Sequence, residues 1–306
     1  MTTRPLRIGT RGSKLARRQA DWVASELARR GVECEQVLID TRGDKQQDWS
    51  IAALGATGVF TKEIQHALLA GEVDLAVHSL KDLPTEPVPG LLLAAVPARA
   101  PYGDVLVSRE NIAFEQLPAG AKVATGSRRR QAQLAAVRAD LEIVPVRGNV
   151  DTRLAKLDAG EFDAIVLAEA GLVRLGHADR ITQRLSPQYL LPAVGQGALG
   201  LETRIDDAFA QSRAALLDDT ATHAAVRAER AFLAALRAGC LAPVAAWGRF
   251  YRGWLVFTGR VLSLDGRTKC EATCCGTPSD PEELGRRTAA ILLSQGAGEL
   301  ITAAHG

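Results

Sequence analysis

The chain has 306 residues, more than a single compact core usually organises, so two or three domains are expected. Hydrophobic residues make up 47% and charged residues 24%, which excludes a largely disordered chain. The net charge of +2 excludes a chain built as a whole to coat nucleic acid or an anionic membrane. No apolar run approaches the roughly 18 residues of a membrane span.

From Met1 the sequence enters a strand at 6–9 almost directly, leaving no room for a signal peptide. Further strands are expected at 34–39 and 73–77, with helices at 13–30 and 61–69 between them. A second set follows, with strands at 105–107, 122–125, 141–146 and 164–167 and helices at 128–137 and 152–157. This alternation implies parallel sheets covered by helices, an α/β class. The two sets are alike: Gly9-Thr10-Arg11-Gly12-Ser13 and Ala124-Thr125-Gly126-Ser127-Arg128 both place Thr, Ser and Arg where a strand gives way to a helix. Two similar α/β domains are expected, 1–98 with 196–216 and 99–195, the chain crossing between them near 97–101 and 192–200. The texture then changes. A helix at 222–237 leads through Gly239-Cys240-Leu241-Ala242-Pro243 to β runs at 244–250, 254–262 and 268–275, the last two flanking the hairpin signal Asp265-Gly266. A final helix is expected at 281–293, opened by Pro281. Residues 217–306 therefore read as a small α+β domain.

Five cysteines, Cys34, Cys240, Cys270, Cys274 and Cys275, have neither the density of a disulfide framework nor a paired CxxC spacing for a metal. A reducing, cytoplasmic setting is expected. Cys274 and Cys275 are placed on a strand, one side chain inward and one outward. Of the 37 basic residues, 30 are Arg and 7 are Lys. Coding bias accounts for that excess, as does a need for forked donors that grip carboxylate or phosphate.

Three strand-to-helix junctions carry cations where a helix dipole disfavours them: Thr10-Arg11-Gly12-Ser13-Lys14, Ser127-Arg128-Arg129-Arg130, and Arg147-Gly148-Asn149-Val150-Asp151-Thr152-Arg153. Each such cation costs a few tenths of a kcal/mol up to about 1. A bound anion reverses that sign, so three together point to a polyanion site in the cleft between the α/β domains. The anion is not read as a nucleotide. Gly55-Ala56-Thr57-Gly58-Val59-Phe60-Thr61-Lys62 has its second Gly too early for a phosphate loop, and Glu63 follows Lys62. Gly195-Gln196-Gly197-Ala198-Leu199-Gly200 spells GxGxxG, but Pro192 precedes it and a strand follows, the reverse of a dinucleotide fingerprint.

The most distinctive run is Asp74-Leu75-Ala76-Val77-His78-Ser79-Leu80-Lys81-Asp82-Leu83-Pro84, a buried strand ending in polar residues where α/β proteins place their sites. Asp82 is a lone carboxylate suited to stabilising a cation or moving a proton, and Lys81 is a donor for an acidic substrate. A local Lys81–Asp82 interaction in an ordinary loop explains the same residues. His78 reads as a structural histidine. Cys240, on a loop after Gly239, reads as a buried small hydrophobe or as a nucleophile or attachment point.

Together these segments resemble the porphobilinogen deaminase (hydroxymethylbilane synthase) family from Arg7 to about Trp247. The resemblance is carried by Phe60-Thr61-Lys62-Glu63-Ile64 with Ala67-Leu68-Leu69, by Asp74 through Pro84, by Arg147 through Leu154, and by Gly195-Gln196-Gly197-Ala198 with Glu202. It implies two domains like type 2 periplasmic binding proteins plus a third, and a monomeric transferase of tetrapyrrole (heme) biosynthesis. That enzyme joins four porphobilinogen units, each losing ammonia, into hydroxymethylbilane. It implies a dipyrromethane cofactor held by a thioether at Cys240, and Asp82 as the catalytic aspartate that stabilises the azafulvenium cation. Arg11, Ser13, Lys81, Thr125, Ser127, Arg129, Arg130, Arg147 and Arg153 match family positions that bind acetate and propionate groups. Ser79 and Gln19 match further polar positions of the site.

The chain departs from the family pattern in the site. Ala53 and Thr57 stand where lysines are usual, Gly103 where an Arg usually precedes Asp104, and Gly126 and Arg128 where the arginine motif usually has Ser and Leu. Two other readings fit less well. A non-catalytic binding protein for a small polycarboxylate fits the cleft but gives Cys240 and Asp82 no purpose. A nucleic-acid binder is disfavoured by the small net charge and the lack of an aromatic–basic stacking motif.

Overall fold

A computed structural model describes residues 4–40, 61–239 and 242–305. The departures at Ala53 and Thr57, residues 55–60 of the glycine-containing run, and Cys240 lie outside the described residues. The chain forms two compact units, Met1–Ala100 with Gly197–His223, and Pro101–Gln196 with Ala224–Gly306.

In chain order, β1 (Leu6–Arg11), α1 (Lys14–Ala28), β2 (Cys34–Ile39), α2 (Lys62–Leu69), β3 (Leu75–Ser79) and β4 (Leu91–Ala95) build the first unit. The second receives β5 (Asp104–Ser108), β6 (Lys122–Ala124), α3 (Arg128–Val137), β7 (Glu142–Val144), α4 (Val150–Asp158), β8 (Ala164–Ala168), α5 (Glu169–Leu175) and β9 (Gln183–Arg184). The chain then returns to the first unit as β10 (Leu199–Arg204) and α6 (Ala208–Ala214). It continues through α7 (Thr220–Ala235) into β11 (Val244–Tyr251), β12 (Trp254–Leu262), β13 (Lys269–Gly276), α8 (Pro281–Ser294) and α9 (Ala297–His305).

The strands are apolar because helices cover both sheet faces: Leu75, Ala76, Val77 and His78 of β3 are all buried, as is every residue of β5. Helix α1 buries Ala16, Gln19, Ala20, Val23 and Leu27, a three-to-four-residue spacing that turns one face to the sheet. The two five-stranded sheets share one order, β2-β1-β3-β10-β4 and β7-β6-β8-β5-β9. The parallel sheets expected from sequence are therefore mixed: β10 runs antiparallel to β3 and β4, and β5 antiparallel to β8 and β9. The reason is connectivity. Neither β10 nor β5 enters its sheet by a helical crossover from the strand beside it, so nothing requires a parallel direction. The expected fold class, two alike α/β sheets with a small C-terminal sheet region, is what the chain adopts.

In the third sheet β11, β12 and β13 form an antiparallel meander. Its core is centred on Phe232 of α7 and Phe257 of β12, whose rings stack edge-on 5.3 Å apart, with Leu284 and Leu292 of α8 completing it. Cys274 packs against this core while Cys275 is exposed, the alternation a strand imposes. The sequence reading ended on α8. Helix α9 is an addition: it follows a break at Gln295-Gly296 and is short and Ala-rich, so its periodicity is weak, yet it buries Ala297, Ile301 and Ala304.

The β12–β13 turn is fixed against α3. Gly266 has φ +74°, and a Cβ there would lie 2.4 Å from the Ala136 amide nitrogen and 2.6 Å from the Ala132 carbonyl oxygen. Replacing Gly266 with Ala combines a disfavoured backbone conformation with a clash against helix backbone. It is expected to cost about 2 kcal/mol or more, read as a lowered denaturant midpoint. An unchanged midpoint would show that the hairpin does not bear on α3.

Candidate functional site

In the first unit the site grows from the C-terminal ends of two adjacent parallel strands, β1 and β3, the edge at which α/β sheets expose their loops. Arg11 closes β1, and Ser13 caps α1, its Oγ accepting from the Ala16 amide at 3.3 Å. Ser79 closes β3, and a single 3₁₀ turn, Leu80–Asp82, carries Lys81 and Asp82 into solvent. Buried Gln19 of α1 ties that helix to the end of β3, its Nε2 donating to Ser79 Oγ at 2.7 Å. Arg11, Ser13, Gln19, Ser79 and Asp82 line one pocket with Thr61, Val77 and His78, while Lys81 lies outside that lining.

Two other polar residues of the same motif are structural. His78 Nε2 lies 3.1 Å from Glu202 Oε2, and Glu202 also accepts from Gln65 Nε2 at 3.1 Å. Asp74 is fully buried and receives Arg4 at 2.6 Å, Arg7 at 2.8 Å and Arg204 at 3.3 Å. Burial alone would raise its pKa, but the hydrogen bonds from Arg7 and Arg4 hold the carboxyl well below the usual carboxylate range.

In the second unit the corresponding junctions follow β6 and β7. Ser127 caps α3, its Oγ 3.5 Å from the Arg130 amide, and Asn149 caps α4, accepting from the Thr152 amide at 2.9 Å. Thr125 is buried and accepts the Ser127 amide at 3.2 Å. Arg147 is exposed at the end of the β7 segment. Gly126 has a local reason to lack a side chain, since a Cβ there would lie 2.7 Å from the Val146 carbonyl oxygen.

The arginine run behaves differently from the expectation that it awaits an anion. Arg129 and Arg130 are buried, and both meet Asp104 of β5 at 2.7 Å. Arg129 also donates to the Leu191 carbonyl at 2.6 Å, Arg130 to the Val166 carbonyl at 3.1 Å, and Gln196 Nε2 reaches Asp104 at 2.9 Å. Arg128 donates to the Ala304 carbonyl of α9. A carboxylate of the protein itself thus offsets the unfavourable charge at this helix start. Burial would raise the Asp104 pKa, but the two guanidinium groups keep it well below the usual carboxylate range.

Arg153 is the contrasting cation. Its Nε donates to the Gly148 carbonyl at 2.8 Å, and among the described residues no carboxylate pairs with it. Burial, with Arg130 nearby, pushes its pKa down to about 10. An inward cation held without a counter-ion is what an anion site requires. Sequence reading missed Arg174 on α5, whose pKa burial likewise pushes down to about 10. A single arginine in the sequence of a seven-residue helix carries no signal of its burial. Gly103 faces Glu169, 3.6 Å from where a Cβ would stand, and Glu169 is paired with Arg184 at 2.6 Å.

Each α/β sheet thus presents a capped helix start with basic residues near it, and the first sheet also presents the exposed carboxylate of Asp82. The family model described as "Porphobilinogen deaminase, dipyromethane cofactor binding domain" matches residues 6–212, and "Porphobilinogen deaminase, C-terminal domain" matches 223–294. The chain is 50% identical over 296 residues to the porphobilinogen deaminase of Desulforudis audaxviator, covering 96% of each. It is 47% identical to that of Moorella thermoacetica, covering 97% of this chain and 95% of the relative. Among solved structures it is similar to the methionine-binding protein MetQ (TM-score 0.41, 14% identity, 69% of this chain and 89% of that one). It is also similar to a periplasmic substrate-binding protein of Coxiella burnetii (TM-score 0.43, 16% identity, 71% and 94%). The chain belongs to the porphobilinogen deaminase family.

The family's cofactor, dipyrromethane, carries acid side chains on each ring. The donors in the structure fit such a group: a half-buried guanidinium at Arg153 that no carboxylate of the described residues pairs, hydroxyls at Thr125 and Ser127, and exposed Arg147.

Proposed function

We propose that the chain condenses four porphobilinogen units into hydroxymethylbilane on a dipyrromethane primer linked to Cys240, with Asp82 as the catalytic residue. The observation that carries the assignment of Asp82 is its placement. It is an exposed carboxylate in the pocket lined by Arg11, Ser13, Gln19 and Ser79, and no ion pair or hydrogen bond holds it among the described residues. When bound, dipyrromethane supplies the pyrrole carbon that starts the chain.

In each condensation the C–N bond of the substrate's aminomethyl group breaks and ammonia leaves. A C–C bond then forms to the last ring, which gives up the proton of the attacking carbon. Asp82 holds pyrrole N–H groups and stabilises the cation left by ammonia's departure. Arg11, Ser13 and Lys81 take substrate carboxylates. Thr125, Ser127, Arg147 and Arg153 take those of the primer and the growing chain, each charge-assisted hydrogen bond contributing roughly 1.5–3 kcal/mol. Arg129 and Arg130 support this group through Asp104. Among the described residues no helix is long and apolar enough to cross a membrane, and we place the enzyme in the cytoplasm as a monomer.

The primer and its anchor are tested together by intact mass under denaturing conditions. The parent protein is expected to carry an excess equal to two linked pyrroles, and Cys240→Ser none. An unmodified parent that stays so after incubation with porphobilinogen would remove the proposed chemistry.

A further inference from the structure

Thr61 occupies the N-cap position of α2, yet its hydroxyl makes no capping hydrogen bond, unlike Ser13 and Ser127 at the corresponding positions of α1 and α3. The residue is only 2% exposed, and its Oγ1 has no hydrogen-bond partner among the described residues. A buried hydroxyl in that condition has lost its hydration without replacement, which native structures rarely leave unexplained. Its location supplies a reason. Thr61 lines the pocket that contains Arg11, Ser13 and Asp82. In the same lining the hydroxyl of Ser79 is already engaged by Gln19 at 2.7 Å, whereas that of Thr61 is not.

We infer that Thr61 is a substrate-binding residue whose Oγ1–H donates to a carboxylate of porphobilinogen in the pocket beside Arg11. This rests on the reading of that pocket as the substrate site. A carboxylate is the acceptor whose chemistry matches: it brings the charge that strengthens a hydroxyl donor, and Arg11 in the same lining neutralises the remainder. The partnerless hydroxyl then costs the free protein stability and returns it as affinity on binding.

The test is Thr61→Val, which keeps the shape and deletes the hydroxyl, beside Thr61→Ser, which keeps the donor. Steady-state kinetics with porphobilinogen and thermal unfolding of the holoenzyme are read together. Thr61→Val is expected to raise KM about tenfold with kcat within about twofold of the parent. Its unfolding midpoint should equal or exceed the parent's, because no hydrogen bond among the described residues is removed. Thr61→Ser should restore KM to within about twofold of the parent. A lowered midpoint in Thr61→Val would make the hydroxyl structural and overturn the inference. An unchanged KM in an active enzyme would overturn it alone, whereas a parent that releases no ammonia from porphobilinogen would overturn it together with the reading of the pocket.

Discussion

Asp82→Asn should lower kcat on the order of 10²–10³-fold, the usual cost of removing one preorganised electrostatic contact to a reacting centre, with the unfolding midpoint essentially unchanged. Asp82 is exposed, and no hydrogen bond or ion pair of the described residues depends on it, so the isosteric amide disturbs nothing in the fold. The amide retains an acceptor for pyrrole N–H groups, so KM should move far less than kcat. What it loses is the negative charge opposite the cation formed as ammonia leaves. Measuring ammonia release and hydroxymethylbilane formation under saturating porphobilinogen checks this. A near-normal kcat would take the catalytic role away from Asp82.

Asp104→Asn acts on stability first. It removes the one carboxylate that Arg129 and Arg130 share inside the second unit, leaving two buried guanidinium groups against a neutral amide. Breaking a buried ion pair from one side typically costs about 3–5 kcal/mol, so a large fall in denaturant midpoint is expected. A loss under about 1 kcal/mol would show that the carbonyls of Leu191 and Val166 suffice to hold the arginines. The same pair gives a pH dependence of known sign. The native pKa of Asp104 is depressed, so its contribution is complete at neutral pH. It declines only as pH falls below the unfolded carboxylate value near about 4. Asp104→Asn should therefore flatten the acid limb of the parent's stability profile.

The fold was readable where local signals were strong. Residues 34–39, 128–137 and 254–262 were expected with the bounds the structure shows for β2, α3 and β12, because apolar runs and caps agree there. Strand β4 went unread, since Leu91–Ala95 sits among prolines, whereas the strand expected at the end of the Gly195-to-Gly200 run is β10, Leu199–Arg204. Their direction was beyond reach because a single sequence does not show which strand a returning segment will join. In the site, residues 9–13 and 124–128 were legible as strand-to-helix junctions, and the structure makes Ser13 and Ser127 the caps there. The inward turn of Arg129 and Arg130 was not, since their carboxylate lies on β5, 25 and 26 residues away in sequence. Thr61 was noticed as part of a glycine-containing run and of the Phe60-to-Ile64 segment, but burial of its hydroxyl is a tertiary property without a local signature.

The attachments of α3 have a mechanical consequence. Arg128 bonds the Ala304 carbonyl in α9, Gln133 accepts from Arg260 of β12 at 2.8 Å, and the Gly266 turn rests on Ala132 and Ala136. These contacts spread over about 12 Å of helix axis, so they resist both sliding and rolling of the C-terminal sheet on the helix. The small sheet and the helix that begins at Ser127 therefore behave as a lever and its socket. A displacement of β12 is transmitted to the start of α3 instead of being absorbed between them.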